Sequence, residues 1–333
     1  MPEPSIVALI VIIVLALGFG LVNGFNDAAN AIATVVGTRT LTPLKAVLMA
    51  AVFNLLGAAT GSAVALTIGK GILAPEAVSF QTVIAALAAV IIWTATATFY
   101  GLPVSLTHGF VAALAAAGFA ASGASAVNWG VITTVASAVG IAPVLGFAGG
   151  FALMIGLLWL LRRKTPAAVQ SHFGKLQILS AAFMAYSHGK NDGQMPIGII
   201  TMALVFYTGS EALWDSIPFW IILISALSIS TGTAFGGWKV IKTLGMRVTT
   251  LRPVHGFAAE ASAATVIEIA SFLGIPVSTT HCISSSIMGV GATRRLSAVR
   301  WGLAGNIIAA WVITFPVCGG LGHLFSWLLG FVF

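Results

Sequence analysis

Gly101-Leu102-Pro103-Val104-Ser105-Leu106-Thr107-His108 and Gly274-Ile275-Pro276-Val277-Ser278-Thr279-Thr280-His281 share the pattern G-[LI]-P-V-S-x-T-H, and both lie deep inside apolar sequence. Gly and Pro stop a helix, and the Ser and Thr that follow can cap the next one. The pattern therefore predicts two helix breaks, each followed by a hydroxyl-rich helix start. In a low-dielectric setting such a start suits an anion.

The surrounding sequence says that the setting is lipid. Of the 333 residues 59% are hydrophobic and 7% charged, against about 25% charged in a soluble chain. An ordinary soluble globule is excluded. The net charge of +7 reports loop placement before it reports nucleic acid. No basic stretch interleaved with aromatics suggests nucleic-acid binding. Cys282 and Cys318 sit far apart in apolar runs and read as packing residues, not a disulfide. Residues from Ser5 to Val22 lack a basic leader, and apolar character resumes after Asn30. They read as a retained first span.

Outward from the two motifs the chain repeats itself. Gly24-Phe25-Asn26-Asp27 is answered by Gly189-Lys190-Asn191-Asp192, and Trp129 by Trp301. Two halves, 1–165 and 166–333, carry the same parts in the same order within a single transmembrane domain. The stretch from Arg162 through Lys175 reads as a polar linker between them. The first half is expected to hold a span over 5–37, interrupted at Asn23–Asn30. A span over 44–68, apolar sequence over 81–121 around Pro103, and a span over 130–161 follow. The second half repeats this as 176–205, 218–236, 254–293 and 301–333. About 20 apolar residues cross a bilayer, so the longest pieces are expected to tilt or kink.

Charge decides how 81–121 and 254–293 sit. If each is a re-entrant hairpin with its motif at the tip, each half crosses three times and the second half is inverted relative to the first. With both termini outside, Arg39, Lys45, Arg162, Arg163, Lys164, Lys175, Lys239, Lys242, Arg247, Arg252, Arg294, Arg295 and Arg300 fall inside, including the linker 162–175. Only Lys70 lies outside, and Lys190 lies within a span. Glu3, Glu76, Glu211 and Asp215 fall outside. Fully crossing hairpins would scatter the basic residues over both faces, against the positive-inside rule. The expected fold is an all-α polytopic membrane protein of two inverted-topology repeats, each with long or broken transmembrane helices and one re-entrant helical hairpin. Broken helices meeting at the midplane from opposite sides are the architecture of secondary transporters.

Asp27, Asp192, Glu260 and Glu268 fall within the membrane, where a charge costs at least about 2.5 kcal/mol and requires a partner or a function. Asn26, Asp27 and Asn30, with Asn191, Asp192 and Gln194, offer oxygen ligands suited to Na⁺, and the Asp residues could instead carry H⁺. Glu260 and Glu268 lie on roughly one helix face, with apolar counterparts in the first half. Glu260 is a candidate for proton or cation coupling, with a structural hydrogen-bonding role as the alternative, and Glu268 stands open between the same two. For any of the four acids the bland reading is a protonated acid or one paired with Lys190. Ser105, Thr107, Ser278, Thr279 and Thr280 can donate hydroxyls to a tetrahedral oxyanion. Two opposed helix N-termini add about +0.5 charge each. The bland alternative is simple capping of a broken helix. His108, His188 and His281 close their motifs, in positions to donate to loop backbone or to titrate. Glycine- and alanine-rich 57–65 and 112–124 suggest close helix packing.

Gly24-Phe25-Asn26-Asp27-Ala28-Ala29-Asn30-Ala31 is similar to the G-x-N-D-x-x-N-A signature of the inorganic phosphate transporter (PiT) family. Ser187-His188-Gly189-Lys190-Asn191-Asp192-Gly193-Gln194, Pro276-Val277-Ser278-Thr279-Thr280-His281 and Gly236-Gly237-Trp238 extend the resemblance to nearly the whole chain. It implies import of inorganic phosphate into the cell, coupled to Na⁺ or H⁺, hence a plasma-membrane location, and a homodimer. It also implies that the Asn-Asp pairs, the hairpin Ser and Thr residues and Glu260 serve substrate and ion, with no resident cofactor. Leu106, Lys190 and Glu268 depart from the family pattern, and no large domain fills the central linker. Sulfate or another oxyanion is the alternative cargo. A passive anion channel would have no need of four membrane acids. An intramembrane hydrolase would have no need of two symmetric Ser/His sets, and a three-residue helical spacing is poor nucleophile–base geometry.

Overall fold

The computed structural model describes residues 5–331. Glu3 and the two chain ends, assigned above to the outer face, lie outside the described residues. The first half forms α1 (Ile6–Gly37), α2 (Pro43–Ala58), α3 (Ala63–Lys70), α4 (Phe80–Tyr100), α5 (Leu106–Ser122) and α6 (Trp129–Leu161). The second forms α7 (Pro166–Asp192), α8 (Gln194–Thr208), α9 (Phe219–Phe235), α10 (Trp238–Lys242), α11 (Pro253–Phe272), α12 (Thr279–Ala292) and α13 (Trp301–Leu329). Among the described residues the only β pairing is one isolated bridge, Leu73 with Val127.

Helices α1, α4, α6 and α13 are each long and apolar enough to cross a membrane. The pair α2 and α3 bends by 71°, and α9 bends by 61° into α10 and the π-helical turn Thr243–Arg247 that follows it. The protein is a multi-pass helical membrane protein.

Two expectations are corrected. Helix α1 runs unbroken through Asn23–Asn30. The amides of Asn26 and Asn30 reach hydroxyls on other helices, so they do not compete for the backbone hydrogen bonds of their own turn. The expected linker is also mostly helix. Thr165 accepts from the Ala168 N–H, and Pro166 occupies the first turn of α7. Cap and proline start the helix there and leave only Arg162–Thr165 as the join.

Contacts in one half recur in the other, with the partner drawn from across the chain. Helix α1 packs on α9 and α7 on α2; α5 packs on α13 and α12 on α6. Backbone-to-backbone approach makes the first two contacts close. A Cβ on Gly24 would come within 2.0 Å of the Ile229 carbonyl oxygen, and one on Gly232 within 2.0 Å of that of Leu21. Gly57 and Gly189 repeat this at the Tyr186 and Asn54 carbonyls, at 2.0 and 2.2 Å. No other residue permits such packing, which is how apolar helices associate where water supplies no driving force. The N-terminal part of α1 (Ala8 to Phe19) lies in one apolar core with α3, α4, α5 and α8, while its C-terminal part (Ala28 to Val36) lies in a second with α2, α7, α11 and α12. Its middle, which carries Asn26 and Asp27, falls between the two.

Each motif forms the turn of a helical hairpin. Gly101 (φ 72°) and Gly274 (φ 69°) take the left-handed conformation that ends the first arm. Ser105 and Ser278 cap the second arms, accepting from the His108 and His281 N–H at 3.3 and 3.2 Å. The feet of each hairpin are tied together. Ala74 N–H donates to Ala126 O at 2.9 Å and Asn128 N–H to Ile72 O at 3.0 Å. At the other hairpin Arg300 N–H donates to Val248 O at 3.0 Å and the Thr249 hydroxyl to Ala298 O at 2.9 Å. Trp129 and Trp301 each donate Nε1–H to the carbonyl five residues earlier, Ala124 and Leu296.

Candidate functional site

The site is built from α1, the end of α7 and the starts of α5 and α12. Asn26 donates Nδ2–H to Thr98 Oγ1 at 2.6 Å and to Leu102 O at 3.5 Å, which holds α1 on the first hairpin. Asn191 does the same for the second. Its Nδ2 donates to Val277 O at 2.7 Å, and its Oδ1 accepts from Ser271 at 3.4 Å and from Val277 N–H at 3.5 Å. Thr98 and Ser271 occupy matching places before the two turns, so the duplicated Asn residues have duplicated roles.

The aspartates cross over. Thr280 of the second hairpin donates to Asp27 Oδ1 at 2.9 Å, and Thr107 of the first donates to Asp192 Oδ1 at 3.0 Å. Thr279 adds a donation to Asp192 Oδ2 at 2.6 Å, and Asn191 Nδ2 lies 3.1 Å from Oδ1. Asn30 donates to Thr279 and Thr280 at 3.1 and 2.9 Å. All of these side chains are buried, Asp27 at 3% and Asp192 at 2% exposure. Leu106, which sits where Thr279 sits in the other hairpin, is packed in apolar core and supplies nothing polar.

His188 stands in the middle of this arrangement. Its Nε2 lies 3.3 Å from Asp192 and 3.9 Å from Asp27, and its Nδ1 shares a hydrogen bond with Asn54 Oδ1 at 2.9 Å. Asn54 in turn donates to Thr233 at 2.8 Å. Asp27, His188 and Asp192 each present one ligand atom within 4.8 Å of the others. The donor set suits a cation: two carboxylates and an imidazole. Asn30, bonded to the Thr279 and Thr280 that serve the aspartates, leaves its Oδ1 buried and unpartnered among the described residues. Asn26 Oδ1 is likewise unpartnered, but its amide is turned to Thr98 and Leu102. Hydroxyls that donate to carboxylates here can turn to donate to an anion, while the freed carboxylate oxygens face a cation.

The structure separates other expected members. Gln194 does not join the network: its Oε1 accepts from Val64 and Ala65 N–H at 3.0 and 3.2 Å, and its Nε2 donates to Thr60 O at 3.1 Å. It thereby caps α3 and fixes the bend after α2. Glu260 lies in a network of its own, accepting from Thr34, from Ser180 and from Gln177, the last at 3.4 Å. Thr38 and Thr40 each donate to Gln177 Oε1 at 2.8 Å. Glu268 pairs with Lys190 at 2.7 Å.

The ring nitrogens of His108 are unpartnered among the described residues, and the His281 ring turns to the Val139 backbone within α6, so neither bonds to loop backbone, one of the two roles expected of them. The imidazoles meet each other at 4.9 Å between centroids, and stack on Phe315 at 5.4 Å and Trp311 at 4.0 Å. Cys282 and Cys318 are free and buried.

Sequence reasoning missed Asn54, Thr34, Thr98, Gln177 and Ser180. Each is buried. Thr34, Asn54 and Thr98 lie in apolar helices, where the mismatch with their surroundings was the available signal, while Gln177 and Ser180 lie on the more polar α7 and carried none.

Residues 23–322 match the Phosphate transporter family. The chain is 44% identical over 319 residues to a Rhizobium meliloti protein described as "Probable low-affinity inorganic phosphate transporter", covering 95% of each chain. It is 40% identical over 326 residues to a Bacillus subtilis protein of the same description, covering 97% of this chain and 98% of that one. A solved structure described as "The sodium-dependent phosphate transporter" superposes with a TM-score of 0.91 at 29% identity, over 98% of this chain and 100% of that chain.

Proposed function

The chain belongs to the phosphate transporter family, and we propose that it is a secondary active symporter that imports inorganic phosphate with Na⁺ or H⁺ across the plasma membrane. One observation carries this reading. Hydroxyls at both hairpin starts bond to both buried aspartates, Thr280 to Asp27 and Thr107 to Asp192, so anion-suited helix N-termini and cation-suited carboxylates share one site. The sodium dependence of the solved relative supports Na⁺ for the cation.

In this reading Asn26, Asp27, Asn30, Asn191 and Asp192 hold the coupling cation. Ser105, Thr107, Ser278, Thr279 and Thr280 hold phosphate, with the free N–H groups of α5 and α12 behind them. A cation between the aspartates neutralises charge that would repel a phosphate anion. The hydroxyls released from the carboxylates then become donors to the anion. His188, beside both aspartates, is placed to carry a proton in the same cycle, and Glu260 serves a second cation or proton position. Sulfate is the alternative cargo, because the hydroxyl and N–H donors bind any tetrahedral oxyanion.

Residues 1–165 and 166–333 act as inverted repeats, and α4–α5 and α11–α12 as re-entrant hairpins. Supporting this, each hairpin's two feet are hydrogen-bonded to each other and so share one face of the membrane. Lys70 and Glu211, both assigned outside, pair at 3.4 Å. The basic loops and the join at Arg162–Thr165 then face the cytoplasm and both termini face out. Two copies form the homodimer.

Uptake of labelled phosphate and sulfate into proteoliposomes under separately imposed Na⁺ and H⁺ gradients tests the proposal. Phosphate accumulation driven by one of the gradients is expected. Uptake indifferent to both would overturn symport, and faster sulfate than phosphate uptake would change the cargo.

A further inference from the structure

Three consecutive residues of α7 grip the second hairpin at three places. Asn191 holds the end of α11 and the turn, through Ser271 and Val277. Asp192 holds the start of α12 through Thr279 at 2.6 Å. Lys190 completes the set by reaching Glu268 on α11 at 2.7 Å. The two side chains are only about a fifth exposed, 22% and 20%. Charges so placed in an apolar surround depend on each other, because loss of either leaves the other without compensation. Glu268 lies one helical turn before Ser271, on the same face of α11, so the pair and the Asn191 contact pull on one side of the arm. Lys190 also lies over the Tyr186 ring at 5.9 Å, and the Tyr186 hydroxyl bonds to Thr60 at the bend between α2 and α3 at 2.9 Å.

At the first hairpin the same places hold Phe25 and Ala95. Phe25 precedes Asn26-Asp27 as Lys190 precedes Asn191-Asp192, and Ala95 precedes Gly101 as Glu268 precedes Gly274. Phe25 and Ala95 line one apolar groove of about 700 Å³ with Thr98 and Phe99. The Asn26 amide, at 2.6 Å to Thr98, holds α1 to the first hairpin's arm, and the turn of that hairpin is tied elsewhere, Thr243 donating to Gly101 O at 3.1 Å and Lys239 to Phe99 O at 2.7 Å.

We infer that Lys190 and Glu268 are positioning residues: their ion pair clasps the second hairpin to α7 and fixes its tip against Asn191 and Asp192, a clasp with no counterpart between α1 and the first hairpin. The effect on transport rests on the symport reading above; the effect on the hairpin does not.

Hydrogen exchange of the full chain in lipid nanodiscs compares the turn 101–105 with the turn 274–278, alongside phosphate uptake kinetics. Lys190→Ala or Glu268→Ala speeds the second turn at least tenfold, leaves the first within twofold, and raises the uptake KM. The charge-exchanged variant, Lys190→Glu with Glu268→Lys, returns the second turn to within threefold of wild type. An unchanged second turn, or both turns loosening together, overturns the clasp. So does a charge-exchanged variant as loose as the single ones, since packing and not the pair would then be responsible. If the single variants do not fold, Lys190→Phe with Glu268→Ala copies the residues of the first half and decides the matter: its second turn must exchange at least tenfold faster than that of the wild type. A wild type that takes up no phosphate would remove the symport reading and leave the exchange comparison to judge the clasp.

Discussion

The two hairpins share a plan and differ in chemistry. Both turn at a left-handed glycine, both start their second arm with a capping serine, and both send a threonine to the aspartate of the matching half's partner. Only the second has Thr279, which donates to Asp192 and accepts from Asn30; the first has buried Leu106 there. Only the second carries the Lys190–Glu268 pair and the buried Glu260 with its ring of Thr34, Gln177 and Ser180. The place of Glu260 in the first hairpin is taken by Leu87, within apolar core. Backbone packing is therefore paired between the halves while buried polar groups gather around the second hairpin. A substrate with one binding mode has no need of two equal sites, and every buried polar group removed from one side lowers the cost of folding in lipid.

That asymmetry can be broken in graded steps. The largest effect is expected at the aspartates. Asp192→Asn should cut gradient-driven phosphate uptake by about a hundredfold or more, equivalent to about 2.7 kcal/mol at 1.36 kcal/mol per decade. Asp27→Asn should cost less, because one hydroxyl and not two donates to Asp27. Uptake by reconstituted protein, normalised to the amount inserted, measures both. Next come the glycines on which the shared packing rests. Gly57→Val or Gly24→Val drives a side chain into a backbone carbonyl and should destabilise by at least about 1–3 kcal/mol, read as a lower melting temperature of the detergent-purified protein. Equal losses at the two positions would show that packing is symmetric where chemistry is not.

A smaller change makes the hairpins alike. Thr279→Leu removes a hydrogen bond to a charged group, worth about 1.5–3 kcal/mol, and should raise the phosphate KM about tenfold or more. Leu106→Thr, the converse change, should alter KM by less than about threefold, since the first hairpin is the lesser contact. Equal effects would make the hairpins equivalent substrate ligands. Smallest is the capping serine. Ser105→Ala and Ser278→Ala should each cost about 1 kcal/mol of stability. Both should also weaken phosphate affinity, Ser278→Ala the more, which competition uptake separates from the stability change.

The hairpin boundaries, the helical content and the convergence of the Asn-Asp pairs with the Thr residues were legible because Gly, Pro and capping residues punctuate apolar sequence in a repeated order. The break expected at Asn23–Asn30 was illegible in sequence: whether a polar residue unwinds its own helix depends on whether another helix offers a partner, and Thr98, Thr279 and Thr280 do. Gln194 illustrates the same limit. Next to Asp192 in sequence, it caps α3 in space. His188 was grouped with His108 and His281 by its place at the end of a motif, yet it stands between the two aspartates, while the other two stack on aromatic rings. Side-chain direction on a helix changes by about 100° per residue, so neighbours in a motif face different elements.

The sequence by itself determined the solvent, the duplicated parts, the two glycine-proline turns and the chemical type of each buried polar group, because composition and local backbone preference act over a few residues. Only the tertiary structure decided which partner each polar group takes: Thr280 with Asp27, Thr107 with Asp192, Lys190 with Glu268, and Glu260 apart from them all. Those pairings span 78 to 253 residues of chain. They follow from close packing at Gly24, Gly57, Gly189 and Gly232, which sets the depth at which each side chain meets its neighbour.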